Sequence, residues 1–332
     1  MKLIVQIPCL NEEWTLPQTI EAIPRCIKGI DSIELLIVDD GSTDGTVERA
    51  RQLGVHYLVK HSSNQGLARS FRDGLEACIL LGADIVVNTD GDNQYFGGDI
   101  PRLIQSILDG TSDIVIGDRQ TSENSEFSFI KRLLQRLGTY VVKIVSGVEI
   151  ADAVSGFRAF SRDAAESLIV ISRFSYTTET IIQAGYLGLR VTSIPVRTNR
   201  QTRESRLFRS LPHFICMSTL TILRVYLAYS PLRFFAWLSL WFCVIGSLPI
   251  IRFLYFYFTG GGAGHVQSLI LGAAFLIISV AFLTVGLLAE VVAWNRQLLE
   301  QLVTRARRND RYNSNRSRII ELNAPIPPLA PG

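Results

Sequence analysis

Residues 34–42 read ELLIVDDGS, a short apolar run that ends abruptly in two aspartates and a glycine. An uninterrupted apolar run of this length, bounded by turn residues, predicts a strand whose two faces are both buried. Similar runs occur in the first 200 residues at 3–7, 56–59, 84–88, 113–117 and 190–196, alternating with helical patterns at 15–23, 46–53, 67–81 and 100–108. This alternation predicts an α/β fold with a mostly parallel sheet that binds ligands at the carboxyl ends of its strands.

Charge is distributed unevenly along the 332 residues, whose formal net charge is +3. Residues 1–200 carry 20 Lys+Arg against 25 Asp+Glu, a net charge of −5, so residues 201–332 carry 13 against 5, a net charge of +8. Every basic residue in the second part is an arginine. An acidic domain joined to an apolar, arginine-bearing segment is typical of a cytosolic domain attached to a membrane, because anionic lipid headgroups attract arginine. We therefore expect a membrane, and no nucleic acid, as a partner.

Cysteine usage indicates a reducing compartment. The five cysteines are odd in number and include no CxxC pair: Cys9, Cys26, Cys78, Cys216 and Cys243. Neither a disulfide framework nor a zinc knuckle is predicted from that spacing. The apolar run at the amino terminus is too short for a signal peptide, so we expect the first half of the chain to stay in the cytosol.

Two stretches, 234–251 and 266–289, contain no charged residue and meet the threshold of about 18 residues for a transmembrane helix. The connector 259–265 has no Lys or Arg, whereas arginines precede and follow the pair, at positions 224, 233, 296, 305, 307 and 308. The positive-inside rule then predicts a hairpin with both outer ends in the cytoplasm. The alternative is two buried core helices of a soluble domain, which the combined length and apolarity disfavour.

The segment before the spans has an amphipathic pattern. Leu207, Leu211 and Ile215 recur at helical spacing, and Pro212 is predicted to begin a second short helix. These helices are expected to lie in the membrane interface, although packing on the first domain is an open alternative. The predicted organisation is a catalytic domain over 1–202, juxtamembrane helices over 203–231, two transmembrane helices over 232–295 and a basic cytosolic tail over 296–332 with a disordered, proline-rich end.

Polar residues follow the predicted strands, at the edge where ligands bind. Asp90-x-Asp92 with Gln94 offers oxygen ligands suited to Mg²⁺ or Mn²⁺ shared with a diphosphate. Taken alone, such a pair is more typical of a solvated turn, and Asp40-Gly41-Ser42-Thr43 alone is explained by a turn and a helix cap.

In combination these motifs resemble the family 2 glycosyltransferases with the GT-A fold. The resemblance rests on Pro8-x-x-Asn11-Glu12, Val38-Asp39-Asp40-Gly41-Ser42, Asn64-x-Gly66-Leu67 and Asp90-x-Asp92. Further motifs are similar to the polyprenyl-phosphate branch, which includes dolichol-phosphate mannose synthases and bactoprenol glucosyltransferases: Asp92-x-Gln94, Gly117-x-Arg119, Asp152-x-x-Ser155-Gly156-Phe157-Arg158 and Val196-x-x-x-Arg200-x-x-x-x-Ser205-x-Leu207. The similarity covers about residues 3–207, and Arg203 and Arg206 stand where the branch usually has Gly and Lys.

The resemblance implies a role for each motif residue. Nucleotide binding is implied for Pro8, Leu10, Glu12, Asp40 and Asp90, and metal binding for Asp92 and Gln94. Arg119 and Arg200 are expected to hold donor or acceptor phosphate, since guanidinium matches phosphate oxygens. Ser155, Arg200 and Arg206 are expected at the acceptor phosphate. Asp152 is expected to orient or deprotonate the acceptor, the alternative being a turn cap beside Ser155.

The implied activity is inverting, metal-dependent transfer of one sugar, with UDP-glucose as the expected donor and undecaprenyl phosphate as the acceptor. GDP-mannose and an amino-sugar nucleotide are alternative donors. Other classes left open are a membrane-bound sugar-nucleotide pyrophosphorylase and an inactive scaffold. The resemblance also implies a multi-pass protein of the bacterial inner membrane with a cytosolic catalytic domain, and we expect a homo-oligomer.

Overall fold

The computed structural model describes residues 1–120, 129–171, 176–199, 211–260, 262–309 and 319–322. The chain forms two compact units, one of Met1–Ile222 with Val303–Gly332 and one of Leu223–Leu302. The first unit is an α/β domain built on a mixed, mostly parallel sheet, and the second is helical.

The sheet has the strand order β7-β5-β6-β4-β1-β2-β3-β8 in the described part of the chain. Its strands are β1 Lys2–Cys9, β2 Ser32–Asp39, β3 Tyr57–Lys60, β4 Ile85–Asn88, β5 Ile114–Asp118, β6 Arg158–Ser161, β7 Val191–Pro195 and β8 Ile319–Glu321. Neighbours pair in parallel, except that β6 runs antiparallel between β4 and β5 and β8 runs antiparallel beside β3. The predicted fold class is confirmed.

Helices connect the strands and cover the sheet. They are α1 Leu16–Glu21, α2 Thr46–Gln52, α3 Leu67–Leu80, α4 Ile100–Leu108, α5 Phe129–Ser146, α6 Arg162–Ser167 and α7 Tyr176–Leu187. The central strand β1 is buried on both faces, and Leu3, Ile4 and Val5 are wholly inaccessible to solvent. This double burial explains why the strands read as continuous apolar runs in the sequence.

Two strands escape the sequence-based prediction for identifiable reasons. Strand β6 reads RAFS, and its arginine and serine break the apolar pattern, although Arg158 is wholly buried. Strand β8 has three residues, too few for a periodic signal, and it lies in the segment predicted as a cytosolic tail. Residues 324–331, the predicted disordered end, lie outside the described residues.

A polar pair lies inside this apolar core and leads toward the carboxyl edge of the sheet. Gln6 on β1 donates from Nε2 to Asn88 Oδ1 on β4 at 2.9 Å. Asn88 Nδ2 in turn lies 2.8 Å from the carbonyl oxygen of Gly156 and 2.9 Å from Tyr176 Oη. Because buried polar groups must be paired, this network fixes the end of β4 against the loop before β6.

The remaining helices are α8 Leu211–Tyr229, α9 Pro231–Phe258 and α10 Val266–Asn309. Helix α8 is one helix with Pro212 at its second position, where a missing N–H costs little, and residues 203–210 lie outside the described part. Helices α9 and α10 contain apolar stretches, Pro231–Phe258 and Val266–Glu300, long enough to cross a membrane. They include both predicted spans, but α10 continues as a helix to Asn309, beyond the predicted end of the hairpin.

Small residues bring the backbones of α9 and α10 close together, beside aromatic contacts such as that of Phe242 with Phe275. Ser239 Oγ lies 3.0 Å from Ser279 Oγ, and a Cβ atom added to Gly272 would lie 2.7 Å from the carbonyl oxygen of Gly246. Where the hydrophobic effect does not drive two apolar helices together, they associate through close backbone packing at small residues and through hydrogen bonds. The glycines and serines therefore set how closely the two helices approach.

We predict that Gly272→Val destabilises the helical unit, because its side chain would overlap the backbone of α9. Overpacking of this kind costs roughly 1–3 kcal/mol. The matched control is Gly264→Val, since a Cβ atom there meets no atom within 4 Å. The measurement is the thermal unfolding midpoint of the full chain in detergent, and equal midpoints for the two variants would contradict the packing.

Candidate functional site

The predicted ligand-binding edge is formed by the carboxyl ends of β1, β2 and β4. The parallel register pairs Cys9 with Asp39 and Gln6 with Asn88, so the residues that follow these strands emerge side by side. Gly91 completes the contact, because a Cβ atom on it would lie only 2.8 Å from Cys9 Sγ. The edge therefore gathers the residue groups 8–12, 39–42 and 90–94.

Glu12 is buried and held in place by its neighbours. Its backbone N–H donates to Thr46 Oγ1 at 2.8 Å, and its side-chain Oε2 lies 2.8 Å from Thr15 Oγ1. Thr15 Oγ1 is also 2.9 Å from the carbonyl oxygen of Gly91. Through Thr15, the first motif and the acidic turn at 90–92 are joined directly. Pro8 is buried and Leu10 is half-buried beside them.

Asp40 organises the loop that follows β3. Its Oδ1 accepts from the backbone N–H of Gln65 at 2.8 Å, and its Oδ2 accepts from that of Gly66 at 2.9 Å. The Nδ1 atom of His61 lies 2.8 Å from Asp40 Oδ1, and its Nε2 lies 3.2 Å from Asp73 Oδ2 on α3. The buried imidazole thus links the strand-end aspartate to a helix, a role that sequence reasoning missed because the three residues share no motif.

The acidic turn is half-exposed and closely connected to the segment after β7. Asp92 Oδ1 accepts from the backbone N–H of Gln94 at 3.1 Å, and Asn93 adopts a left-handed conformation with φ 57°. Asn199 donates from its backbone N–H to the Gln94 carbonyl at 2.9 Å and from Nδ2 to the Asn93 carbonyl at 3.0 Å. Arg200 is the next residue in the chain. Arg200, Arg203 and Arg206 lie outside the described residues.

A second attachment fixes the same segment. Arg197 pairs with the buried Asp99, with Nη2 2.6 Å from Oδ1, and its guanidinium lies 4.1 Å from the ring centroid of Phe96. Tyr95 and Thr198 form an antiparallel bridge between these two contacts. Residues 196–199 are therefore held along residues 93–99. Sequence reasoning missed Arg197 and Asn199, because their partners are about 100 positions away.

Arg119 and Asp152 form a buried, bidentate ion pair. Nε of Arg119 lies 2.7 Å from Oδ2 of Asp152, and Nη2 lies 3.1 Å from Oδ1. Burial raises the pKa of Asp152, but the charge of Arg119 and its two hydrogen bonds outweigh this effect and hold the pKa below the usual aspartate value. Asp152 is therefore a carboxylate at neutral pH.

The loop after Asp152 folds tightly around that carboxylate. Asp152 Oδ1 also accepts from the backbone N–H groups of Val154 and Ser155, each at 3.1 Å. The side chain of Ser155 is wholly buried, and its expected contact with an acceptor phosphate stays a prediction. Next to it, a Cβ atom on Gly156 would lie 2.9 Å from Asp90 Oδ2, so only glycine lets the loop approach Asp90 this closely.

Arg158 fixes the loop at 153–155 through hydrogen bonds to its backbone. Its guanidinium donates to the carbonyl oxygens of Ala153, Ser155 and Thr177 at 2.7–2.9 Å. Burial lowers the pKa of Arg158 to about 10, so the group still carries its charge at neutral pH. The sequence motif included Arg158 without suggesting that its contacts are to backbone carbonyls.

The acidic turn fits a divalent cation that is held jointly with a diphosphate. The half-exposed carboxylate of Asp92 and the amide of Gln94 are oxygen donors on one turn. Among the described residues, no three His, Cys, Asp or Glu side chains form a ready-made metal cluster. Mg²⁺ is commonly held by one or two carboxylates with substrate phosphates and water supplying the other ligands, which is the donor set available here.

A cavity of about 550 Å³ opens beside Arg119. Its lining includes three arginines and comprises Arg102, Arg119, Gln120, Pro195, Val196, Arg197 and Thr198. It lies at the carboxyl ends of β5 and β7, and two of its arginines are already paired with acids, Arg119 with Asp152 and Arg197 with Asp99.

The chain matches the model of the family described as "Glycosyl transferase family 2" over residues 4–169. Among curated relatives, the dolichol-phosphate mannosyltransferase of Pyrococcus furiosus is 30% identical, over 62% of this chain and 59% of its own length. The undecaprenyl-phosphate mannosyltransferase of Micrococcus luteus is 25% identical, over 62% of this chain and 88% of its own. The UDP-N-acetylglucosamine–dolichyl-phosphate N-acetylglucosaminyltransferase of Methanococcus voltae is 27% identical, over 58% and 83%.

Solved structures support the fold. The glucosyl-3-phosphoglycerate synthase of Mycobacterium tuberculosis, in complex with Mn²⁺, UDP-glucose and phosphoglyceric acid, superposes with a TM-score of 0.53. The two proteins are 22% identical, and the match covers 68% of this chain and 79% of that one. This likeness shows a shared GT-A fold.

We predict that Asp152→Asn destabilises the first unit by about 3 kcal/mol or more, because it leaves the Arg119 charge buried without a counter-charge. The matched control is Asp113→Asn, which breaks an equally bidentate pair with Arg190 at the surface and should have a much smaller effect. The measurement is the thermal midpoint of the full chain at neutral pH. Similar losses in both variants would contradict a structural role for the buried pair.

The stability difference between wild type and Asp152→Asn should depend on pH in the acid range. The pKa of Asp152 is lower in the folded state than its usual value near 3.9, so its contribution is fully present above that value and is lost as the pH falls through the folded pKa. The gap between wild type and Asp152→Asn should therefore narrow below about pH 4. A gap of constant size from pH 7 to pH 3 would contradict the lowered pKa.

Proposed function

This chain belongs to glycosyl transferase family 2, and we propose that it transfers a single sugar from a nucleotide sugar to a polyprenyl phosphate in a membrane. The observation that carries the proposal is that two helices long and apolar enough to cross a bilayer follow the glycosyltransferase domain in one chain. The relatives named above for dolichyl and undecaprenyl phosphates support this acceptor class. We further propose UDP-glucose as the donor and undecaprenyl phosphate as the acceptor, with GDP-mannose and UDP-N-acetylglucosamine as the alternative donors.

We assign the donor nucleotide to the edge formed by the first two motifs. In this proposal Pro8, Leu10 and Glu12 shape one wall, Asp40 positions the loop at 61–66, and Asp90 faces the ribose or sugar. Both carboxylate oxygens of Asp40 are occupied by hydrogen bonds to the loop and to His61. Asp40 therefore maintains the shape of the pocket. Direct attack on the anomeric carbon of an α-linked donor would give a β-linked product.

Asp92 and Gln94 would hold Mg²⁺ or Mn²⁺ together with the donor diphosphate. A divalent cation bound there supplies neutralisation of the negative charge that develops on the departing nucleoside diphosphate. The hydrogen bonds from Asn199 to Asn93 and Gln94 keep the turn in one conformation.

We assign the acceptor phosphate to Arg119, Arg200 and Arg206, and to the arginine-lined cavity. The second pKa of a phosphate monoester is near 6, so the acceptor is already nucleophilic at pH 7 and needs no strong base. Asp152 is then a positioning residue, because its oxygens accept hydrogen bonds from Arg119 and from two backbone N–H groups. Ser155 is buried beside Asp152, and its role at the acceptor phosphate stays a prediction.

The return of the chain to the sheet supports a hairpin that crosses the membrane twice. Strand β8 follows α10 and pairs with β3, so the residues before α9 and after α10 belong to one domain. A chain that begins and ends on one side of a bilayer crosses it an even number of times. We propose that this side is the cytoplasm and that the membrane is the bacterial inner membrane. The homo-oligomer expected from the sequence stays a prediction.

The test of the activity is a panel of radiolabelled nucleotide sugars, incubated with membranes that contain the full chain and undecaprenyl phosphate. We expect lipid-extractable label from UDP-glucose in the presence of Mg²⁺ or Mn²⁺. If GDP-mannose or UDP-N-acetylglucosamine gave the label instead, the proposed donor would be wrong and the proposed acceptor would stand. Absence of lipid-linked label from every donor would refute the proposal.

We predict that Asp92→Ala lowers transfer at least tenfold at saturating Mg²⁺ and leaves thermal stability nearly unchanged. A half-exposed carboxylate on a loop contributes to charge neutralisation more than to packing, and a tenfold loss corresponds to about 1.4 kcal/mol. Asp109→Ala, an exposed aspartate at the end of α4, is the control and should retain full turnover. Near wild-type turnover in Asp92→Ala would remove this residue from the metal site.

Cysteine labelling tests the topology in a variant that lacks the native cysteines. A cysteine at position 262, between the two spans, should react with a membrane-impermeant maleimide added to intact cells. A cysteine at position 320, in β8, should react only after permeabilisation, because β8 pairs with β3 in the domain that we propose to be cytosolic. Labelling at position 320 from outside would rule out the proposed orientation.

A further inference from the structure

Helix α5 has two faces with opposite character. Its inner face packs on α7, where Val142 is wholly buried and a Cβ atom on Gly185 would overlap the carbonyl oxygen of Ser146. Its outer face exposes three large apolar side chains: Leu137 at 57%, Tyr140 at 60% and Ile144 at 63%. Their i, i+3, i+7 spacing places them in one stripe along the helix, which we call the α5 stripe.

The charge of α5 differs from that of the domain around it. The helix contains four basic residues and no acidic one: Lys131, Arg132, Arg136 and Lys143. Residues 1–200 as a whole carry a net charge of −5, from 20 basic and 25 acidic residues. Arg136 is exposed next to the stripe, and Lys143 pairs with Glu149 in the following loop. A basic helix with an exposed apolar stripe is typical of a segment that lies on an anionic lipid surface.

The position of α5 in the chain connects it to the acceptor side of the site. The helix lies between Arg119 and Asp152, which are joined by their buried ion pair. The side chain of Thr139, on α5, accepts from the backbone N–H of Ala153 at 3.4 Å. An interaction that fixes the position of α5 therefore also restrains Arg119 and Asp152, the residues assigned to the acceptor phosphate and to its positioning.

We propose that the α5 stripe is a docking surface for an anionic lipid bilayer, through which the catalytic domain rests on the membrane near the acceptor headgroup. The proposal rests on the proposed function for the acceptor, and its membrane partner is argued from the basic charge of α5 and from the two spanning-length helices of the same chain. A single exposed apolar residue is ordinary, whereas a contiguous exposed apolar patch marks an interaction site.

Photo-cross-linking identifies what covers the stripe. The full chain, with p-benzoylphenylalanine in place of Tyr140, is reconstituted in vesicles of phosphatidylglycerol and phosphatidylcholine and irradiated. The control position is Gln52, which is exposed at the end of α2. We expect phospholipid adducts at position 140, at least fivefold more than at position 52, and fewer when phosphatidylglycerol is omitted. A cross-link to a second copy of the chain, or equal lipid adducts at both positions, would overturn the proposal.

An activity assay distinguishes a failure of the docking surface from a failure of the proposed function. Ile144→Glu should lower transfer to a long-chain polyprenyl phosphate in phosphatidylglycerol vesicles at least fivefold, and leave transfer to a short, water-soluble prenyl phosphate unchanged. The charge-matched control, Gln52→Glu, should change neither. Equal transfer by Ile144→Glu and wild type would refute a role for the stripe. Lipid adducts at position 140 in a wild-type chain that transfers no sugar would instead refute the proposed function and leave the docking surface intact.

Discussion

The buried ion pair between Arg119 and Asp152 joins parts of the molecule that the sequence separates by 33 positions. Taking two charges out of water is costly, so a buried pair is poor evidence for stability by itself. Its value here is geometric, because the bidentate contact fixes the end of β5 to the loop before β6. The cavity, the approach of Gly156 to Asp90 and the position of α5 all depend on that attachment.

The acids of the site divide according to burial. Asp40, Asp99 and Asp152 are buried, and each accepts hydrogen bonds from a cationic or ring nitrogen and from the backbone. These three serve as anchors for loops. Asp92 is half-exposed on its turn, which leaves a carboxylate in reach of a cation and a diphosphate. Asp90 is half-exposed as well. Burial therefore distinguishes the acids that build the pocket from the two that are suited to binding in it, a distinction that their spacing in the sequence does not reveal.

The sequence predicted those parts of the fold that depend on local pattern. Apolar runs located six strands and uncharged stretches located two long helices, because strands buried on both faces and long helices without charge leave a continuous apolar signal. Strand β6 was missed since its first residue is an arginine, whose hydrogen-bond partners are carbonyl groups and the Thr180 hydroxyl, brought to it only in the folded chain. His61, Arg197 and Asn199 were missed for a related reason: their roles arise from contacts with residues remote in sequence. Ser155 shows the converse, since a motif residue is buried by the loop it belongs to.

The connectivity of the chain constrains how far the α/β domain can move from the helical unit. The helical unit is continuous with the α/β domain at both of its ends, and β8 secures the second connection by pairing with β3. In the proposed reaction the acceptor is confined to a leaflet, so the rate depends on how much of the time the site stays within reach of a headgroup. A second tether raises that effective concentration without any new contact to the substrate. A domain tethered twice and resting on a basic helix would need little intrinsic affinity for the lipid chain, and its specificity can then reside in the phosphate and the sugar nucleotide.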